Sequence, residues 1–150
     1  MVAPTPRPRP NAAVSPSSPT AALQIVQGGY YIFAGLAIAF GAETLQGPAD
    51  RPLFGGNLGP VRAIAVIVAA LGVLLVLSGR RGGGMVPDWT GMWAALILLV
   101  QTAAGLAMGY LSMTFLLDAA MEGLFLGGWL VLGLTRAERD IGHSGPLPSE

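Results

Sequence analysis

The sequence contains no cysteine and no lysine, and all eight of its cationic residues are arginines. Without cysteine the chain can form no disulfide, thiolate nucleophile or cysteine-ligated metal site. Charged residues are also scarce, at 11% of the chain, against about 25% in a typical soluble domain. The net charge is zero, so we expect no nucleic-acid partner, because such proteins carry a basic footprint.

Familiar catalytic signatures are missing as well. We find no Ser-His-Asp set, no HExxH motif and no paired histidines that would hold a haem. The single histidine, His143, stands in a polar tail without candidate metal ligands beside it, and the glycines of "GRRGGG" lack the lysine of a P-loop. We therefore predict no metal and no cofactor. No enzyme class is indicated.

Long apolar runs are what the sequence does contain, because 53% of its residues are hydrophobic. Each of four runs is close to the ~20 residues that a helix needs to cross a hydrocarbon core of ~30 Å. Helices are expected, since backbone polar groups must be satisfied within lipid. The sequence thus predicts an all-α integral membrane bundle of four transmembrane helices. The predicted spans are residues 22–42, 61–79, 89–110 and 113–135, which together form one domain over residues 22–135.

The two ends of the chain are predicted to be tails. Residues 1–21 are rich in Pro, Ser and Ala and are expected to be disordered, with an SH3-type ligand as the alternative. Residues 136–150 form a polar C-terminal tail. The first apolar run could also be read as a cleaved signal peptide, but Gln24, Gln27, Tyr30 and Tyr31 dilute its apolar core.

The distribution of arginine predicts the orientation. Four spans place both tails and the second loop on one side of the membrane. That side carries six of the eight arginines, and the positive-inside rule therefore puts both termini in the cytoplasm. We expect a multi-pass protein of a bacterial inner membrane, in contact with the lipid bilayer, with a homo-oligomer or a membrane-complex partner left open. The six arginines are Arg7, Arg9, Arg80, Arg81, Arg136 and Arg139, and the other two are Arg51 and Arg62.

Small residues predict how the third and fourth spans pack. A tight turn near Leu111 makes these spans an antiparallel hairpin. Small side chains let two helix backbones approach closely in lipid, so we expect this pair to pack through its small residues. They are Gly105 and Gly109 in the third span and Ala119, Gly123 and Gly127 in the fourth.

Two carboxyl groups stand out in the stretch "FLLDAAMEGLF". Asp118 and Glu122 lie four residues apart, so they share one helical face. A charge near the middle of a membrane costs at least about 2.5–3.5 kcal/mol, so neither carboxyl is expected to face lipid. Both should face the interior of the bundle, together with Phe125 and Trp129.

Other polar residues reach similar depths in the outer half of the bundle. They are Tyr30 and Tyr31 in the first span, Glu43 at its end, Arg62 at the start of the second span and Gln101 in the third. We predict an ion pair between Arg62 and Asp118. The cluster is either a proton- or ligand-linked site or a structural network that fixes helix register, and the sequence leaves both interpretations open.

The stretch "VRAIAVIVAALGVLLVLSG", with an arginine at the head of a glycine-containing second helix, resembles DoxX-like four-helix bacterial membrane proteins. The spacing of the four spans and "QGGYYIFAGLAIAF" add to the resemblance, which covers residues 22–135. It implies an accessory or ligand-binding protein linked to quinones or redox complexes. Only Arg62 matches a family position. The alternative is a small proton-coupled transporter that uses Glu122.

Overall fold

The fold consists of four α-helices, as the sequence predicts, and no strand occurs among the described residues. The computed structural model describes residues 18–45, 58–82, 85–87, 89–111 and 115–143, and the side chains of 42–45 and 139–143 lie outside this description. The helices are α1 (Pro19–Leu45), α2 (Gly59–Arg80), α3 (Trp89–Ala107) and α4 (Leu116–His143).

Every helix end except the start of α3 differs from the predicted span end, by one to three residues at most ends and by eight at the end of α4. α1 begins at Pro19, inside the predicted tail, and α4 continues to His143, well beyond residue 135. α3 ends at Ala107 because Gly109 adopts a left-handed conformation, with φ of 71°. The amides of Gly109 and Tyr110 then bond back to the carbonyls of Leu106 and Gly105, which is the Schellman pattern of a helix end.

All four helices are long and apolar enough to cross a membrane. Many large hydrophobic side chains are exposed, and Phe33 is 73% exposed, Phe40 85% and Leu117 72%. Such a distribution would be unfavourable in water but is suited to lipid, where an exposed apolar side chain carries no penalty. The chain is therefore a multi-pass membrane protein. We call the side where α1 begins the terminal face, and the side of the α1–α2 connection the loop face.

The closest packing in the bundle is between α1 and α2. A Cβ atom added at Gly28 would lie 2.6 Å from the carbonyl oxygen of Gly72, and one added at Gly72 would lie 2.6 Å from that of Gly28. A close contact of this kind recurs every seven residues along both helices, on either side of the Gly28–Gly72 pair. Seven residues is the heptad spacing of coiled coils. This seam, as we call it, consists of the pairs Ala21–Gly79, Gly28–Gly72 and Gly35–Ala65.

The prediction that glycines of the third and fourth spans bring α3 and α4 together is wrong for the four glycines that it named. A Cβ atom added at Gly123 or Gly127 would meet nothing within 4 Å, and one added at Gly105 would meet the side chain of Leu111. Gly109 ends α3 instead of packing against α4. Close helix packing instead requires the small residues of the seam and Gly91 of α3, where an added Cβ atom would lie 2.6 Å from the ring of Trp129 in α4.

α1 is the central helix of the bundle. It packs along α2, contacts α4, and reaches the backbone of α3 through a hydrogen bond from Gln27. The side chain of Tyr31 in α1 is fully buried and forms a core cluster with Leu75 of α2 and Ala94 of α3. The polar side chains of α1 are thereby placed between the other three helices.

Candidate functional site

A cavity of about 350 Å³ lies between the four helices, in the half of the bundle towards the loop face. Its wall is mainly aliphatic, with residues such as Ile38, Val68 and Leu98. Its polar side chains come from three helices and from the α3–α4 connection. They are Tyr30, Tyr31, Gln101, Thr102, Tyr110, Asp118 and Glu122.

Asp118 is held by hydroxyl groups from two other helices. Its Oδ1 accepts a hydrogen bond of 2.5 Å from the hydroxyl of Tyr30 in α1. Its Oδ2 accepts one of 3.1 Å from the hydroxyl of Thr102 in α3. Asp118 itself lies in the first turn of α4, where the helix dipole favours a negative charge. The carboxylate therefore ties α1, α3 and α4 together at the cavity.

Glu122 lies one turn deeper and is only 1% exposed. Its Oε2 accepts a hydrogen bond of 2.8 Å from the hydroxyl of Tyr31. The ring of Phe125 packs beside both tyrosines, with centroids 5.5 Å from Tyr30 and 6.3 Å from Tyr31. The second carboxyl group is thus enclosed by aromatic rings at the base of the cavity.

Behind Tyr31, towards the terminal face, Gln27 connects three helices. Its amide nitrogen donates to the Tyr31 hydroxyl and to the carbonyl oxygen of Gly91 in α3, both at 2.8 Å. Its amide oxygen accepts from the indole nitrogen of Trp129 in α4, also at 2.8 Å. Gln27 is fully buried, and all its hydrogen-bonding capacity but one acceptor site is used. A continuous chain of hydrogen bonds therefore runs from Glu122 through Tyr31 and Gln27 to Gly91.

The residues that line the cavity carry carboxyl groups and no arginine. Carboxylate oxygens accept hydrogen bonds and attract cations, so this surface suits a hydrogen-bond donor or a positive charge. Among the described residues, no three metal-ligating side chains of the His, Cys, Asp or Glu type come together. The arrangement can bind and orient a ligand that carries a hydrogen-bond donor or a positive charge.

The structure brings five of the seven sequence candidates together at the cavity, namely Tyr30, Tyr31, Gln101, Asp118 and Glu122. Gln101 is exposed, whereas its neighbour Thr102 is buried. Arg62 is exposed and does not line the cavity, so its ion pair with Asp118 stays a prediction. Glu43 lies in α1, but its side chain is outside the described residues.

Three residues of the network were not singled out from the sequence as site residues. Gln27 and Thr102 are short polar interruptions of apolar runs, and Trp129 was expected in the interior without a role. The spacing of polar residues in the first span does indicate that Gln27 is buried. Thr20, Gln24, Gln27 and Tyr31 follow one another at intervals of four, three and four residues, which places them on one face of a helix. All four are buried.

No family model matches the chain, and no curated protein or solved structure is significantly similar to it. The functional assignment therefore depends on the geometry of the cavity and the chemistry of its lining.

Proposed function

We propose that this membrane protein binds a lipid-soluble small molecule that has an apolar body and a hydrogen-bond-donating or cationic head. The observation that carries the proposal is the cavity itself, with aliphatic walls and two carboxyl groups at its base. Its volume of about 350 Å³ is at the lower end of the roughly 300–1,000 Å³ of small-molecule sites. A few convergent polar groups in an apolar cleft are the usual composition of such sites.

The route into the cavity supports a lipid-soluble ligand. Three of its lining residues are exposed at the surface, namely Ile64 of α2, Gln101 of α3 and Met108, which directly follows α3. α2 and α3 make few contacts with each other among the described residues. The cavity therefore reaches the surface between these two helices, within the part of the molecule that faces lipid. A ligand dissolved in the bilayer would enter sideways through this opening.

The base of the cavity supports the choice of head group. Asp118 already accepts hydrogen bonds from Tyr30 and Thr102, yet each carboxylate oxygen has a second lone pair for a ligand. Two ligand classes share the required chemistry. One is a quinol, whose hydroxyls donate hydrogen bonds, and this class accords with the resemblance to DoxX-like accessory proteins of the bacterial inner membrane. The other is a lipophilic amine, whose charge a carboxylate would balance.

A second candidate function is proton-coupled transport, with Glu122 as the proton site. One observation favours it. Glu122 is the residue at which the cavity meets the buried hydrogen-bond chain of Tyr31 and Gln27. A carboxyl group that contacts a ligand cavity on one side and a polar chain on the other is suited to exchange a proton for a ligand.

Binding can be tested by filling the cavity. Ala104 lines it, whereas the adjacent Ala103 is exposed on the same helix and does not. The protein in nanodiscs would be titrated calorimetrically with a short-chain ubiquinol analogue and, separately, with dodecylamine. We expect saturable binding of one probe. Ala104→Trp should weaken it by at least about tenfold, or ~1.4 kcal/mol, and Ala103→Trp should leave it unchanged.

The Asp118→Asn variant separates the two ligand classes. An asparagine oxygen still accepts a hydrogen bond from a quinol, but the negative charge that would balance an amine is lost. If the variant retains its affinity for the quinol, the ligand class is a quinol. If it loses its affinity for the amine, the ligand class is a lipophilic amine. Failure of both probes to saturate, or equal effects of the two tryptophan variants, would contradict the proposed cavity function.

A further inference from the structure

Polar side chains continue beyond the cavity towards the terminal face. Thr20, Gln24, Gln27 and Tyr31 occupy one face of α1, with exposures of 7%, 0%, 0% and 0%. The distance from Thr20 to Tyr31 is about 16 Å along the helix axis at ~1.5 Å per residue. This row therefore covers roughly half of a hydrocarbon core of about 30 Å, and the cavity occupies the other half.

The hydrogen bonds of the fold account for only some of the buried polar side chains in this half of the bundle. Gln27 and Tyr31 are hydrogen-bonded to other helices and so contribute to packing. In contrast, the amide nitrogen and oxygen of Gln24 and the hydroxyl oxygen of Ser78 are buried without a hydrogen-bond partner among the residues that the structure describes. A buried polar group that lacks a partner costs about 1–3 kcal/mol, so these groups do not act as structural glue.

The residues that carry the unpartnered groups lie on segments of α1 and α2 that pack against each other. A Cβ atom added at Gly79 would lie 3.3 Å from Cβ of Gln24, so the glutamine packs against the segment that contains Ser78. Buried polar groups that the protein does not satisfy are commonly satisfied by bound water. Gln24 and Ser78 together offer three such groups on these packed segments.

We infer that this row is a hydrated proton path from the terminal face to Glu122. Water bound at Gln24 and Ser78 would carry a proton towards Tyr31. Because the Gln27 amide occupies one acceptor position of the Tyr31 hydroxyl, the proton would arrive through a water on the second position. The Tyr31 hydroxyl then gives its proton to the Glu122 carboxylate and takes one from the water behind it, so that it ends unchanged. One O–H bond forms on Glu122, one breaks on the water, and no electron is transferred. The inference goes beyond ligand binding, since it assigns Glu122 a proton supply from the face opposite the cavity.

Few titratable groups face Glu122. Those that share the cavity with it are Tyr30 and Tyr31 of α1, Tyr110 of the α3–α4 connection and Asp118 of its own helix. The lining residues from α2 and α3 are not titratable. Asp118 is therefore the only other carboxyl group among the described residues that lines the cavity with Glu122.

Proton flux into proteoliposomes tests the path. The vesicles would contain a trapped pH-sensitive dye, and a potassium gradient with valinomycin would drive protons inward. We expect flux above that of protein-free vesicles. Glu122→Gln and Gln24→Leu should reduce it to the level of protein-free vesicles, and Gln24→Asn should retain part of it. Thr135→Val is the matched control, because Thr135 is an exposed polar residue of α4 that bonds only its own helix among the described residues.

Stability measured on the same variants separates a path from a packing role. Gln24→Leu removes an unpartnered polar group, so the fold should be as stable as before or more so while the flux is lost. A destabilised Gln24→Leu protein with unchanged flux would overturn the inference, as would a wild-type flux equal to that of empty vesicles. Ligand binding is measured independently. Binding without flux would refute the path alone, and flux without binding would refute the proposed cavity function alone.

Discussion

Two adjacent tyrosines of α1 hold two carboxyl groups of α4 that lie one turn apart. Tyr30 donates to Asp118 and Tyr31 donates to Glu122, although the two tyrosines follow each other directly in the sequence. Consecutive residues of a helix point about 100° apart, so the two hydroxyls reach the carboxyls from different directions. Each carboxyl therefore has its own donor, and neither tyrosine can replace the other.

The Tyr31 hydroxyl makes two hydrogen bonds, and its removal should be costly. Tyr31→Phe leaves Glu122 without this donor in a fully buried position, and we expect a loss of about 1–3 kcal/mol in the free energy of unfolding. Titration with SDS from a mild detergent would measure it. Tyr110→Phe is the control, because this half-buried tyrosine makes no side-chain hydrogen bond to another described residue. Equal losses in the two variants would contradict the assigned role of Tyr31.

The partners of Asp118 can be identified by double-mutant cycles. The hydrogen bond from Tyr30 predicts that Tyr30→Phe and Asp118→Ala are coupled, so that the double variant loses less stability than the sum of the single variants. The coupling should be about 0.5–3 kcal/mol. The same cycle with Arg62→Gln tests the ion pair that the sequence predicts. Strict additivity with Tyr30 would mean that the hydrogen bond contributes nothing to stability.

At the scale of helices, the seam between α1 and α2 dominates. Glycine and alanine at heptad positions allow the two backbones to approach until carbonyl oxygens occupy the space where a side chain would begin. Dispersion contacts over a long, close interface are a main source of helix association in lipid, where hydrophobic burial contributes little. The remaining helix pairs make fewer contacts. The seam thus supplies most of the helix packing in the molecule.

Adjacent glycines provide a sharp test of the seam. Gly28→Ala would place a Cβ atom 2.6 Å from the carbonyl oxygen of Gly72, so the helices must separate, and we expect a loss of about 1–3 kcal/mol. Gly29→Ala, one residue further on, would meet nothing within 4 Å and should be nearly neutral. SDS unfolding of both variants makes the comparison. Similar stability of the two variants would show that α1 and α2 do not pack through Gly28.

At the scale of the whole molecule, the orientation in the membrane remains a prediction from the arginines. Single cysteines at positions 17 and 57, both outside the described residues, would test it in a chain that has no other thiol. With the termini inside, an impermeant maleimide should label Asn57→Cys in intact cells, and Ser17→Cys only after lysis. Labelling of Ser17→Cys alone in intact cells would reverse the orientation.

The sequence predicts the number and class of the helices well, because a run of about 20 apolar residues has few other structures available in lipid. It also places Glu122 in the interior, since a carboxyl at that depth has no favourable position facing lipid. Helix ends are predicted less accurately. Helix α3 ends early because of backbone hydrogen bonds at Gly109, and α4 extends past the membrane span because its polar end also favours a helix.

Packing partners could not be predicted in the same way. Small residues occur in every helix of this chain, and the choice of the seam over α3 and α4 depends on which faces meet in three dimensions. The sequence of α1 shows the heptad repeat of Ala21, Gly28 and Gly35. This repeat identifies a packing partner only when it is matched with the corresponding repeat in α2. The cavity is likewise a property of all four helices, so no single stretch of sequence reveals it.

The seam has a consequence for how the protein is made. α1 and α2 leave the ribosome first, and the contacts between them require nothing from the later half of the chain. The first hairpin can therefore assemble in the membrane while α3 and α4 are still being translated, and it would present Gln27 and Tyr31 as a template for the second hairpin. A gene cut in two within the α2–α3 connection would then still yield a complete protein from its separately expressed halves.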